Sequence, residues 1–171
     1  AAAAVVAAPA RAVQRPGDRT RAIWLRNQAG EELRLAYVRA DGQIDWQAVA
    51  RARHVFRDLR RNAPGPMPVL LLDTLGQIQA RIGADRPLVL LSGFRTPSTN
   101  AELEGAARNS LHLQGQAADI MMPGVPAARI AAAATEVARF YSEHGVGTYP
   151  GFVHVDIGPL RGWRGGQLPA S

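Results

Sequence analysis

Residues 145–157, GVGTYPGFVHVDI, decide the fold, because they have the pattern of two short strands joined by a Pro-Gly turn. Successive side chains of a strand point to opposite faces of the sheet. The second strand therefore has one aliphatic face, which belongs in a core, and a second face that carries Phe152, His154 and Asp156. That second face is either one wall of a functional site or the polar side of an edge strand that meets water.

A second informative stretch lies upstream at residues 110–119, SLHLQGQAAD. Asp119 sits among apolar residues, where an ionised carboxylate is costly to bury unless a cation or several hydrogen-bond donors accompany it. A metal ion, an arginine or a turn of backbone N–H groups would each meet that need. Gly115 allows a turn that carries His112 back toward Asp119, and the spacing by itself leaves all three explanations open.

Together with His154, these residues supply two imidazoles and one carboxylate. This is a ligand set of catalytic zinc sites, which keep one coordination position open. Structural zinc sites are instead closed by four protein ligands, commonly cysteines, and this chain has no cysteine. If the three side chains converge, metal-assisted hydrolysis is the chemistry to expect.

The periodicity of apolar residues predicts further elements on either side of these stretches. They are a hairpin of strands at 22–26 and 32–38, a helix capped by Asp45 that runs to about Arg61, a helix from about 71 to 83, a strand at 87–91 and a helix from Ala127 to about Ser142. This order predicts one α+β domain over residues 21–164, with a small antiparallel sheet and flanking helices. Residues 158–171 are rich in Gly and Arg and predict a loosely packed end, with 165–171 as a tail.

The composition is that of an ordinary globular domain, with 171 residues of which 47% are hydrophobic and 20% charged. No stretch approaches the roughly 18–20 apolar residues that a membrane-spanning helix needs. Residues 1–10 are nearly all Ala and Val and end in Ala-Pro-Ala. Residues 1–20 therefore predict a flexible leader left from a secretory signal, and an exported, periplasmic protein, although a plain Ala-rich terminus has the same composition.

The net charge of +6 favours an anionic partner, either a nucleic acid or an anionic cell-wall polymer. The arginines are scattered along the chain, and no basic stripe alternates with aromatic residues. This pattern argues against nucleic acid as the partner.

Four motifs in order resemble one family of bacterial envelope proteins. They are SGFRTPSTN at 92–100, SxHxxGxAxD at 110–119, GVGTYP at 145–150 and FVHVDIGP at 152–159. The SxHxxGxAxD run followed by His154 is similar to the signature of the zinc D-Ala-D-Ala and murein peptidases related to the hedgehog fold. The whole segment from about Ala22 to Trp163 resembles the YcbK-like group of that superfamily.

The resemblance implies that His112, Asp119 and His154 hold one Zn²⁺ per chain, with a water in the fourth position. Arg95 would bind a substrate carboxylate or the developing oxyanion, although an arginine at this point can also be structural and bond loop carbonyls. Ser110 would hydrogen-bond the substrate or orient the loop that carries the first ligand.

One position departs from the family pattern. Many relatives carry a glutamate three residues before the last histidine as the general base, and here that residue is Gly151. Asp156 shares the face of His154, so it is the candidate base, or else a partner that orients a ligand imidazole. Tyr149 and His144 are alternative bases, and Tyr149 is also a candidate substrate-binding residue.

The resemblance therefore implies a periplasmic zinc peptidase that acts on the stem peptides of peptidoglycan. An endopeptidase that cuts cross-links is favoured over a carboxypeptidase, and a direct link between two diaminopimelates over a D-Ala–diaminopimelate link. Two alternatives from other classes are a non-catalytic, zinc-containing wall-binding module, because the glutamate is missing, and a basic nucleic-acid binder without a metal.

Overall fold

The computed structural model describes residues 19–83, 85–103 and 105–165. The predicted leader, apart from its last two residues, and most of the predicted tail lie outside the described residues. The elements in chain order are β1 (Arg21–Asn27), β2 (Glu32–Val38), α1 (Trp46–Val55), α2 (Val69–Ile82), β3 (Leu88–Ser92), α3 (Pro97–Glu102), a 3-10 helix (Leu111–Gln114), β4 (Ala117–Met121), α4 (Ala127–Tyr141), β5 (Gly145–Tyr149), β6 (Phe152–Asp156) and β7 (Arg161–Arg164).

The seven strands form one sheet in the order β2-β1-β3-β4-β6-β5-β7. Neighbouring strands are antiparallel except at two places, where β1 lies parallel to β3 and β5 lies parallel to β7. The predicted α+β class is confirmed. The sheet is larger than expected, and it is mixed rather than antiparallel because β1 lies parallel to β3 and β5 lies parallel to β7.

One face of the sheet is covered by helices. The helix α2 packs against α4 and β1, while α4 packs against β5 and β6. Val153 and Val155 of β6 are fully buried in this core, as alternation along the strand predicted. The side chains of the opposite face of β6 are therefore turned away from the helices, and these include His154.

The helix α1 begins after Asp45, whose carboxylate accepts hydrogen bonds from the backbone N–H groups of Gln47 and Ala48. The prediction that it runs to about Arg61 is wrong, since α1 ends at Val55. Beyond it the carbonyl of Phe56 accepts from the N–H of Phe94, 2.8 Å away. This hydrogen bond to a distant loop takes the Phe56 carbonyl away from the helix, so the helix does not continue.

The prediction of a loose end from residue 158 is also wrong for the part that the structure describes. Residues Arg161–Arg164 form β7, which pairs with β5 along its length. A four-residue strand of this composition has only a weak local pattern, because its stability comes from pairing with Gly145–Tyr149, which precedes it in the chain.

No helix in the described ranges combines the length and the apolar character needed to cross a bilayer.

Candidate metal centre

The candidate site lies on the face of the sheet opposite α2 and α4. The strand registers place five residues in one row across this face. The row runs Ser92, Asp119, His154, Gly147, Trp163, one residue from each of β3, β4, β6, β5 and β7. The two predicted ligands that lie on strands are therefore direct cross-strand neighbours at the centre of the sheet.

His112 reaches the row from outside the sheet. It lies on the 3-10 helix, whose first turn is capped by the Ser110 hydroxyl accepting from the His112 N–H at 3.4 Å. That helix ends at Gly115, with φ of 64°. A Cβ at Gly115 would overlap the carbonyl of Pro66. Only glycine fits this turn, which carries His112 back toward Asp119 as expected.

The three side chains converge. One ligand atom each from His112, Asp119 and His154 lie within 4.8 Å of one another. His154 Nδ1 is 2.8 Å from Asp119 Oδ1, and His112 Nε2 is 3.4 Å from Asp119 Oδ2. The two facing imidazole nitrogens are 3.3 Å apart. His112 and Asp119 are buried, and His154 is half-buried.

The outer nitrogen of each imidazole already has an acceptor. His112 Nδ1 donates to the carbonyl of Gly93 at 2.7 Å, and His154 Nε2 donates to Asp156 Oδ2 at 3.1 Å. A carbonyl and a carboxylate only accept, so the neutral imidazoles turn their lone pairs toward Asp119. Two nitrogen lone pairs and a carboxylate pointing at one place repel each other unless a cation lies among them. The donor set therefore fits Zn²⁺.

Electrostatics supports the same conclusion. Burial lowers the pKa of His112, so this imidazole is neutral near pH 7. Burial also opposes charge on His154, but the hydrogen bonds and charges of Asp119 and Asp156 outweigh it and raise the pKa of His154. For Asp119 burial favours the neutral acid, yet the two imidazoles beside it hold its pKa well below the usual range. The raised pKa means that His154 holds a proton more readily than an ordinary histidine does.

Arg95 lies against the outer side of the ligand carboxylate. Its Nη2 is 2.5 Å from Asp119 Oδ2, and its Nε donates to the Ser92 hydroxyl at 2.7 Å. The side chain is only 11% exposed. Neither side-chain contact is to a loop carbonyl. Because both partners lie in the row, Arg95 adjoins the candidate metal centre.

Asp156 lies on the far side of the His154 ring from the cluster and is fully buried. Its Oδ1 accepts from the N–H groups of Gly145 and Gly158, at 3.2 and 2.9 Å. Its Oδ2 accepts from Arg161 Nη2 at 2.7 Å as well as from His154. Burial raises the pKa of Asp156, but these donors outweigh it and lower the pKa below its ordinary value.

The remaining predicted residues are separated by the fold. Tyr149 stacks on Phe152 with ring centres 4.5 Å apart, and its hydroxyl accepts from Trp163 Nε1 at 3.0 Å, so it borders the site. His144 instead faces the helices, where its Nε2 lies 2.8 Å from the hydroxyl of Thr74 in α2. The two alternative bases therefore lie in different surroundings, and only Tyr149 adjoins the row.

A cavity of about 280 Å³ adjoins the centre on the β1 and β3 side. Arg95 and Asp119 form its boundary with the metal centre, and Phe94, Arg57 and Arg60 also line it. On the other side of the centre, the Trp163 ring lies 5.4 Å from the His154 ring. Side chains therefore border the candidate metal centre on both sides, with the cavity on one side and Trp163 on the other.

Sequence reasoning named neither Arg161 nor Trp163 as a site residue, because both were assigned to a loose end. A signal was present in the sequence. Arg161 and Trp163 alternate along a potential strand, and so do Gly145 and Gly147 in the strand that they turn out to pair with.

The comparisons with known proteins agree with this geometry. The sequence profile of the family described as peptidoglycan L,D-endopeptidase MepK matches residues 15–163, and the chain belongs to this family of peptidases. The chain is 36% identical over 152 residues to a peptidoglycan L,D-endopeptidase MepK of Escherichia coli, covering 85% of this chain and 81% of that protein. The protein of the same name from Shigella flexneri gives the same figures. A probable peptidoglycan L,D-endopeptidase MepK of Haemophilus influenzae is 34% identical over 119 residues, in a match that covers 66% of this chain and 62% of that protein.

Proposed function

We propose that this protein is a zinc-dependent peptidoglycan endopeptidase that hydrolyses peptide cross-links. The observation that carries the proposal is the convergence of His112, Asp119 and His154, with ligand atoms within 4.8 Å of one another. Family membership supplies the substrate class, since the relatives are named as enzymes that act on peptidoglycan.

Zinc bound here would lower the pKa of a water molecule and polarise the scissile carbonyl. The chain's own residues prepare the ligands for it. Gly93 and Asp156 fix which nitrogen of each imidazole carries a hydrogen, so the free lone pairs face inward. Arg95 holds the Asp119 carboxylate through Oδ2.

Arg95 also serves as the substrate-binding residue of the proposal. Its guanidinium has five N–H groups, and two of its nitrogens donate hydrogen bonds to Asp119 and Ser92. The residue borders both the metal centre and the adjoining cavity. Its remaining donors can therefore bond a substrate carboxylate or an oxyanion that develops beside the metal.

Surfaces on both sides of the centre support an endopeptidase over a carboxypeptidase. The cavity lined by Arg57 and Arg60 lies on one side, and Tyr149 and Trp163 lie on the other. A substrate with peptide on both sides of the scissile bond can contact both sets of residues. The relatives' printed name, an L,D-endopeptidase, favours the direct link between two diaminopimelates as the bond cut. A substrate in the cell wall supports a periplasmic location.

Of the two roles open to Asp156, the contacts support orientation of His154 rather than proton abstraction. All of its hydrogen bonds come from His154, Arg161 and two backbone N–H groups, on the side of the ring away from the cluster. We expect Asp156→Asn to lower kcat by roughly 10- to 100-fold while most of the zinc stays bound when the metal is in excess. Turnover and zinc content of the same preparation measure both. Full turnover in this variant would remove Asp156 from the mechanism.

The decisive experiment is digestion of purified, defined cross-linked muropeptides, with and without a chelator, read by mass spectrometry. Hydrolysis that the chelator stops and added zinc restores is the expected result. Stoichiometric zinc and binding to murein sacculi without release of muropeptides, in an assay where an active relative cleaves, would instead identify a wall-binding module. Absence of zinc together with salt-sensitive DNA binding would identify a nucleic-acid binder.

A further inference from the structure

The edge strand β7 reaches the metal centre across β5, although β5 separates it from β6. The row that contains the ligands passes from His154 through Gly147 to Trp163, and the next row passes from Asp156 through Gly145 to Arg161. In both rows the residue of β5 is a glycine. The missing side chains leave room for the side chains of β7 to lie over β5.

Each glycine is required for this arrangement. A Cβ at Gly147 would lie 2.5 Å from the Trp163 ring, and a Cβ at Gly145 would overlap the Asp156 carboxylate. Such approaches are closer than carbon and oxygen atoms tolerate. Any other residue at either position would displace the β7 side chain or the site residue that it contacts.

Through these gaps β7 makes two contacts with the site. Arg161 Nη2 donates to Asp156 Oδ2 at 2.7 Å, the same oxygen that accepts from His154. The Trp163 ring packs 5.4 Å from the His154 ring and donates its N–H to Tyr149 at 3.0 Å. Arg161 also lies 5.1 Å above the Trp163 ring, so the two side chains brace each other.

We propose that Arg161 and Trp163 are positioning residues of the metal centre, and that Gly145 and Gly147 are the spacers that admit them. Arg161 holds Asp156 in the place from which it fixes the His154 ring, and Trp163 closes the open side of that ring. His154 has the most exposed side chain of the three ligands, 15% against 2% and 6% for the other two. The strand that sequence patterns miss is thus part of the site. This inference rests on the proposed zinc function.

The test measures zinc affinity by competition with a chromophoric chelator, and the visible absorption of the Co²⁺-substituted protein. We expect Arg161→Gln and Trp163→Leu each to weaken zinc binding by roughly 10- to 100-fold and to change the Co²⁺ spectrum. Arg161→Lys should recover part of the affinity, and Trp163→Phe should recover more than leucine does. Arg164→Gln, on the opposite face of the same strand, and Trp46→Leu, an exposed tryptophan in α1, are matched controls expected to bind like the parent protein.

Gly147→Ala provides an independent arm, because it displaces Trp163 without altering it. It should weaken zinc binding about as much as Trp163→Leu, and the double variant should be no weaker than either single one. Far-UV circular dichroism of the zinc-free variants checks that each is folded. If the parent protein binds zinc and cleaves muropeptides but folded Arg161→Gln and Trp163→Leu match it in affinity and spectrum, the positioning role is wrong. If the parent protein itself neither binds zinc nor cleaves, the proposed function fails instead.

Discussion

Asp73 and Asp119 are both buried carboxylates with three polar side chains around them. All three neighbours of Asp73 donate hydrogen bonds to it, whereas the neighbours of Asp119 do not all have a hydrogen to donate. Asp73 accepts from the hydroxyls of Tyr37 and Tyr141, at 2.9 and 2.7 Å, and from Arg21. Each of these partners brings a hydrogen. Asp119 also receives a hydrogen bond from Arg95, but its other two neighbours are imidazoles whose single hydrogen, while the ring is neutral, already goes to Gly93 or Asp156. The comparison separates a structural carboxylate from a candidate metal ligand by asking which neighbours have a hydrogen to donate.

The difference has an energetic basis. A buried carboxylate whose oxygens all receive hydrogen bonds stabilises the fold without help. The Asp119 cluster must take up either a proton or a metal ion before its lone pairs cease to repel each other. Binding of the proton or metal ion should therefore stabilise the Asp119 cluster, whereas it should not change the stability of the Asp73 cluster.

The largest effect expected from this comparison is on catalysis. His112→Ala or His154→Ala should abolish muropeptide hydrolysis, because a zinc ligand is lost, while the melting temperature falls only modestly. Asp73→Asn should leave hydrolysis by the folded protein in place and destabilise the fold by about 1–3 kcal/mol. Muropeptide release and thermal unfolding of the same preparations measure both. Full hydrolysis by either histidine variant would remove that residue from the ligand set.

Zinc itself should distinguish the clusters. At a free zinc concentration 100 times the dissociation constant, binding to the native state adds about 2.7 kcal/mol to the free energy of unfolding. Asp73→Asn should retain this increment in full, and His154→Ala should lose it. Denaturant unfolding with zinc and with chelator gives the increment directly. An equal increment in His154→Ala would mean that zinc binds elsewhere.

The pH dependence of zinc binding follows from the raised pKa of His154. Below that pKa zinc must displace a proton from His154, so its affinity should rise about tenfold per pH unit. Above that pKa the dependence on this proton ends. The midpoint should lie above the ordinary histidine value of about 6.5. Calorimetric titrations in buffers of different ionisation enthalpy count the released protons, and release of none at pH 6 would contradict the assignment.

The smallest effect should come from the edge of the Asp73 cluster. Tyr141→Phe removes one donor to a carboxylate that keeps two others, so the loss should be about 1 kcal/mol of unfolding free energy with unchanged hydrolysis. Phe140→Leu is a matched control at the neighbouring position, since Phe140 is 76% exposed and its loss should be nearly neutral. A large fall in hydrolysis for Tyr141→Phe would contradict the assignment of the Asp73 cluster to a purely structural role.

Much of the site could be predicted from local sequence. Alternation along β6 correctly put His154 and Asp156 on one face and the aliphatic residues in the core. The cost of burying a carboxylate among apolar residues correctly predicted a partner for Asp119. The turn expected at Gly115 correctly predicted that His112 lies close to it. These predictions succeed because strand alternation, turn geometry and the cost of burying charge act within a few residues.

The tertiary structure decided what depends on distant neighbours. It ended α1 at Val55 through the tie between Phe56 and Phe94, and it gave Arg95 the Asp119 carboxylate as its partner. It surrounded Asp156 with donors, and it made a strand of Arg161–Arg164 by pairing it with β5. The residue types and their spacing thus determined which atoms this chain can offer a metal ion. Long-range pairing and burial determined which of those atoms face each other and which neighbours hold them, because these contacts have no local sequence pattern.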